Sequence, residues 1–191
     1  DNFIPSPFLN AVTDPLLNTV PWVARTNFAR PDIAIHNLIG VEASAIGNHE
    51  WDLGSNVFMD AIRPDGPWSG ALFPHVSVNL DYSLDSAALA RFTDVPLNGT
   101  TSSVPLAAAG ASRLVPMAVV NKGGEKIGVL GVTTQILRAI SSPSGTFAKG
   151  FPAGTNGVDN MDLLASQLQP YINELIAEGV NKIVLLSHLQ Q

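Results

Sequence analysis

Two short polar segments carry residue types that could do chemistry: Gly47-Asn48-His49-Glu50-Trp51-Asp52, and Ser187-His188 near the other end of the chain. Asn48 offers an amide oxygen and the histidines offer imidazole nitrogens. Both suit a borderline cation such as Zn²⁺, and Mn²⁺ takes the oxygen donors well. Asp52 follows His49 by three positions. On a tight turn leading into a helix, its carboxylate can reach back to the ring N–H, fix the tautomer and favour the charged ring. A charged imidazole beside a phosphoryl group could stabilise transition-state charge or protonate a leaving oxygen. The same residues also fit a plainer reading. Gly-Asn is a common turn pair, the histidine after it can cap the next helix, and a strand-end histidine such as His188 often only makes a structural hydrogen bond. His36 and His75 read as structural, Trp51 as packing, and Asn79 and Asp81 as turn caps, while Glu50 is ambiguous.

Both polar segments directly follow apolar runs that read as strands, residues 41–46 and 182–186. In open α/β sheets, ligands gather at the carboxyl ends of strands, so two such ends can meet in space. Around them the pattern alternates helix and strand. Asp14-Pro15 reads as a helix start, with the helix running towards Arg30 and kinked or split at Pro21. Pro31-Asp32 begins another helix that Gly40 ends. Residues 54–63 form a helix with Val57, Phe58, Ala61 and Ile62 on one face, closed by Pro64. Residues 76–80 read as a strand, and residues 83–113 as a long excursion. Residues 117–121 and 126–132 form a hairpin whose turn is Lys122-Gly123-Gly124-Glu125, since paired glycines supply positive φ. Residues 141–157 read as a loop. A last helix begins near Asp159 and ends at Gly179, with Met161, Leu164, Ala165, Leu168, Ile172, Leu175 and Ile176 on one face and Pro170 as a point that could split it. The continuous Ile-Val-Leu-Leu run at 183–186 is expected to be buried on both faces. The fold class expected is α/β.

Composition narrows the function. The chain has 191 residues, of which 46% are hydrophobic and 14% charged, so it supports a packed core. The net charge of −6 and the absence of a Lys/Arg cluster argue against a nucleic-acid polymer as partner. An anionic small molecule stays compatible, because a bound cation inverts the local potential. No apolar run reaches the length of a transmembrane helix. With no cysteine there is no disulfide, thiolate site or Cys nucleophile. No G-x-S-x-G, H-E-x-x-H or phosphate-loop motif occurs. Asn98-Gly99-Thr100 is a glycosylation sequon that matters only in a eukaryotic secretory setting.

Gly47-Asn48-His49-Glu50-Trp51-Asp52 resembles the GNHE[FW]D motif of calcineurin-like metallophosphoesterases, in particular the 5′-nucleotidase family. Further stretches resemble that family in the expected order: Phe73-Pro74 with Val78-Asn79-Leu80, Lys126-Ile127-Gly128-Val129-Leu130-Gly131-Val132-Thr133-Thr134, Gly179-Val180-Asn181-Lys182-Ile183, and Leu185-Leu186-Ser187-His188. The resemblance implies part of a layered α/β/β/α sandwich, incomplete at both ends, with residues 1–191 forming a partial catalytic domain. It implies that Asp1 is the metal-bridging aspartate of a Gly-Asp-[Asn/Gln] motif, and that Asn48 and His188 bind the second metal. It implies that His49 is a catalytic residue paired with Asp52 and not a ligand. The family's Asp-x-His motif would precede Asp1, and its Gly-His-x-His motif and substrate domain would follow Gln191. Gln190-Gln191 stands where the family often has Gly after the histidine.

The function so implied is metal-dependent hydrolysis of phosphate monoesters, notably 5′-nucleotides, by the complete protein. It would use two divalent ions such as Zn or Mn, of which this segment alone holds few or none and is expected to be inactive. Cyclic nucleotides, nucleotide sugars or sulfur groups are alternative substrates within the fold, and a binding protein with a decayed site is the non-catalytic alternative. The expected partner is a small phosphate ester, and the implied location is periplasmic, cell-surface or secreted.

Overall fold

The computed structural model describes residues 1–93, 110–153 and 159–189. The sequon at 98–100, most of the excursion read over 83–113, and Gln190-Gln191 lie outside the described residues.

The chain is a mixed α/β structure. Helices α1 (Pro7–Ala11), α2 (Arg30–Ile39), α3 (Ser55–Ile62), α4 (Ser86–Leu89), α5 (Leu137–Ile140) and α6 (Met161–Ala177) are joined by 3₁₀ turns at Pro15–Thr19 and His49–Trp51. Strands are β1 (Ser44–Ala45), β2 (His75–Val76), β3 (Leu80–Asp81), β4 (Leu114–Val115), β5 (Met117–Lys122), β6 (Glu125–Thr133), β7 (Phe147–Ala148) and β8 (Lys182–His188). One sheet runs β1-β2-β4, all parallel. A second runs β5-β6-β8, with an antiparallel hairpin and then a parallel partner. β3 and β7 form a small antiparallel pair.

Strand alternation sorts side chains into layers. His75 stacks between Phe58 of α3 and Phe73, whereas its neighbour Val76 packs with Val115, Ala118, Val120 and Val129 between the two sheets. On the other face of the second sheet, Met117, Leu130 and Val132 pack against Leu164, Leu168 and Leu175 of α6. Ile33 of α2, Phe58 and Ile62 of α3, Trp51, Trp68 and Leu114 form the core on the far side of the first sheet. The order is therefore helices α2 and α3, sheet, sheet, helix α6.

Several expectations hold. The hairpin closes on Gly123-Gly124, both at positive φ, with Lys122 opposite Glu125. Asn160 caps α6 by accepting from Leu163 N at 3.0 Å; the split expected at Pro170 does not occur, and the proline lies inside one continuous helix. α2 ends at Gly40 in the left-handed region.

Other expectations are corrected. The helix from Pro15 stops at Thr19; Asp14 and Pro15 start it as expected, but Asn18 turns its side-chain oxygen to Thr26 N at 2.7 Å, and Ala24 and Ala29 take left-handed φ. Strand 41–46 keeps ladder pairing only at Ser44–Ala45, and 76–80 breaks into β2 and β3 as Val78 N turns to Gly131 O. Within 83–113 the chain forms α4, and within 141–157 it forms β7. On α3 the buried face takes Met59 where Val57 was expected, and on α6 Met161 and Ile176 face solvent. β8 is not buried on both faces: among the described residues it is a sheet edge with β6 as its one strand neighbour, and Val184 and Leu185 are 44% and 48% exposed. Among the described residues, no helix is long and apolar enough to cross a membrane.

Candidate active site

The carboxyl ends of β1, β6 and β8 meet at one place, and a buried polar network holds them there. Thr133, at the end of β6, donates its hydroxyl to Ile46 O at 2.7 Å and lies beside Ser77 Oγ at 2.9 Å. Asn79 closes both backbone groups of Thr133, accepting from its N–H at 2.9 Å and donating to its carbonyl at 2.7 Å. Thr133 is also the register partner of His188 on β8. Buried polar groups with every partner in place rigidify a site, and this network sets where the turn after β1 begins relative to the last residue of β8. Asn79 is thus a cross-strand tie, a larger role than the turn cap expected of it.

The turn after β1 is tight because Trp51 N donates to Asn48 O at 3.1 Å and Asp52 N to His49 O at 3.3 Å. Trp51 anchors it as expected. Its ring is fully buried and meets Phe58 edge-on, with centroids 5.2 Å apart. The turn brings the side chains of His49 and Asp52 to one side, where His49 Nδ1 lies 2.5 Å from Asp52 Oδ2. This contact places the proton on Nδ1 and leaves Nε2 free to act outwards. His49 is one-third exposed and Asp52 about one-fifth, so the pair is open to a solute.

Asn48 faces the other way. Its Oδ1 lies 2.8 Å from His188 Nε2, and His188 Nε2 lies 3.5 Å from Asp1 Oδ1. Asp1 Oδ1 also accepts from His49 N at 3.2 Å. Gly47 permits this approach, because a Cβ at that position would sit 2.0 Å from Asp1 Oδ1. Burial holds the His188 imidazole below its ordinary pKa, with the Glu50 carboxylate opposing the shift. A ring kept neutral is one that can act as a ligand.

Asp1, Asn48 and His188 thus bring two oxygens and one nitrogen together. Among the described residues, no group of three or more His, Cys, Asp or Glu side chains could hold a metal ion, and the third group beside Asp1 and His188 is the amide oxygen of Asn48. The donor set fits one face of a divalent cation, with the remaining positions left for other donors. His36 and His75 are apart from the site, as expected. His36 Nδ1 contacts Asp32 O at 2.9 Å, and His75 is fully buried.

Sequence reasoning did not assign two residues that shape the site. Glu50 is fully buried: one carboxylate oxygen takes the N–H of Asn2 and its Nδ2 (3.2 Å), and the other takes Gly47 N at 2.7 Å. It ties the segment carrying Asp1 to the turn carrying Asn48. Ser141, just past α5, places its hydroxyl 2.7 Å from Asp52 Oδ1 and 2.8 Å from Asn48 O. The four-residue spacing of α5 carries no signal for this contact.

No family model matches the chain. It is 29% identical to a rat 5′-nucleotidase over 152 residues, which is 80% of this chain and 20% of that protein. It is 27% identical to a snake venom 5′-nucleotidase from Gloydius brevicauda over 83% of the chain and 21% of the relative. Among solved structures, a 5′-nucleotidase precursor from Thermus thermophilus superposes with a TM-score of 0.56 at 32% identity, covering 83% of this chain and 23% of that one. The chain therefore spans about a fifth of the length of the curated relatives it matches.

Proposed function

We propose that this chain, related over about four fifths of its length to 5′-nucleotidases, supplies one metal-binding corner and the catalytic histidine of a metal-dependent phosphomonoesterase acting on 5′-nucleotides. The observation that carries the reading is the convergence of Asp1, Asn48 and His188 donors beside an oriented His49–Asp52 pair. Similarity to 5′-nucleotidases over about four fifths of the chain supports it. The chain covers about a fifth of those relatives, so the activity is proposed for the whole protein. Similarity to a venom enzyme supports an extracytoplasmic place of action.

Asp1, Asn48 and His188 would hold a cation such as Zn²⁺ or Mn²⁺, whose charge neutralises phosphoryl oxygens and polarises water. Asp52 Oδ2 meets Nδ1 of the His49 ring and fixes its orientation. His49 Nε2, pointing out of the pair, then meets negative charge developing on the phosphoryl group or gives a proton to the leaving oxygen. Asn48 and His49 are adjacent in the turn, and His49 N donates to Asp1 Oδ1 at 3.2 Å, which keeps the cation corner and the imidazole close together.

The test is phosphate release from nucleoside 5′-monophosphates by the whole protein before and after exhaustive chelation. We expect hydrolysis to vanish with the metal and return with Zn²⁺ or Mn²⁺. Hydrolysis that survives complete metal removal would overturn the reading.

A further inference from the structure

We infer that Ser141 is a positioning residue for the His49–Asp52 pair, its hydroxyl holding the carboxylate oxygen that His49 does not use. The inference rests on the catalytic role proposed for His49. Asp52 meets His49 through Oδ2 at 2.5 Å and Ser141 through Oδ1 at 2.7 Å. With both oxygens engaged, the plane of the carboxylate is set, and so is the ring that faces it. With Ser141 removed, the carboxylate keeps one partner, and the terminal torsion of an aspartate is broad and easily turned. The imidazole would then swing with it.

The serine hydroxyl carries one proton and has two acceptors in reach, Asp52 Oδ1 and Asn48 O. An ionised carboxylate is the stronger acceptor, so the proton goes to Asp52. The Asn48 carbonyl keeps the N–H of Trp51 as its own donor at 3.1 Å. Ser141 therefore sits between the residue proposed to hold the cation and the one that orients the proton donor.

The serine is itself held. It follows α5, and its N–H donates to Leu137 O at 3.0 Å, with Leu137 fully buried in the core. Three residues on, Ser144 Oγ accepts from Ser55 N at the longer distance of 3.4 Å. The 141–144 loop thus clasps the 48–55 turn at both ends, far apart as they are in sequence. Sequence-local forces do not place a hydroxyl against Asp52; the fold does.

The experiment compares Ser141→Ala and Ser141→Thr in the whole protein, reading kcat, KM, metal content and the downfield Nδ1–H resonance of His49, assigned by its loss in His49→Ala. Ser141→Ala should lower kcat roughly 10-fold with KM and metal content held, and should broaden the resonance, since the loss falls on orientation in the transition state. Ser141→Thr keeps the hydroxyl at an extended backbone position, so kcat should return to within about 3-fold of wild type and the resonance should sharpen. Wild-type kcat and an unchanged resonance in Ser141→Ala would refute the inference. So would a loss in Ser141→Thr equal to that in Ser141→Ala, or a loss of metal in step with turnover, because the serine would then act by bulk or by shaping the turn. If the whole protein hydrolyses no phosphate ester while the resonance still follows the hydroxyl, the proposed function falls and the positioning stands. If His49→Ala abolishes turnover and Ser141→Ala leaves it untouched, the positioning falls alone.

Discussion

Glu50 offers a sharp test of how the site is held together. Its side chain is fully buried, and its two oxygens take the N–H of Asn2, Asn2 Nδ2 and Gly47 N. Asn2 and Gly47 are buried as well. Glu50→Ala would leave two backbone N–H groups without acceptors. Each unsatisfied buried donor costs about 1–3 kcal/mol, so the pair costs about 2–6 kcal/mol. Water entering the space, and relief from burying a carboxylate, both pull the result to the lower half, about 3 kcal/mol. For a chain of this length that is a fall of about 6–12 °C in Tm. Glu50→Gln keeps one acceptor but turns an NH₂ towards an N–H, so it costs about 1–3 kcal/mol. Thermal melts and urea titrations of the three proteins check both the size and the order. An Ala variant melting within about 2 °C of wild type would refute the reasoning, since it would mean that Asn2 and Gly47 find other partners readily.

Acid should weaken the fold through His75. Burial, with a smaller push from His36, drops its pKa from 6.5 to about 3, so the folded protein keeps the ring neutral while the unfolded chain takes up a proton below about 6.5. Stability is then full above pH 6.5 and declines as pH falls towards 3, by roughly 5 kcal/mol at most. Among the described residues neither ring nitrogen has a hydrogen-bond partner, and the ring lies between Phe58 and Phe73, so His75→Phe should flatten the decline in urea titrations across pH 4–7; an unchanged slope would exclude His75 as its source. The open edge of β8, with Val184 and Leu185 half exposed, should promote self-association of this chain. Val184→Lys should shift sedimentation profiles towards monomer, and identical profiles would show that association uses another surface.

Much of the site was legible because its chemistry is local. His49 and Asp52 lie three apart on one turn, and the pairing expected of them is present at 2.5 Å. Gly123-Gly124 announces the hairpin, and the apolar spacing of α6 announces its buried face through Leu164, Leu168 and Leu175. That the two polar segments sit at strand ends that can meet in space was also legible, because each follows an apolar run of strand length. What escaped depends on partners distant in sequence. Glu50 was ambiguous because its role needs Asn2, and Ser141 was invisible because it needs Asp52 and Asn48. β8 misled in the other direction. Its run of Ile, Val and Leu reports hydrophobicity but not what lies beside it, and its flank is open. The helix begun at Pro15 failed because Asn18 spends its side chain on Thr26 N in place of the helix, a competition that propensity does not rank.

The division of roles between binding and catalysis is the central claim, and metal stoichiometry measured beside turnover tests it most directly. In the whole protein, Asn48→Ala and His188→Ala should lose metal, because each removes a donor from the converging trio. His49→Ala should keep its metal and lose about 10²–10⁴-fold in kcat, since it removes a proton donor alone. Metal loss in His49→Ala equal to that in His188→Ala, or full metal in both Asn48→Ala and His188→Ala, would contradict the account.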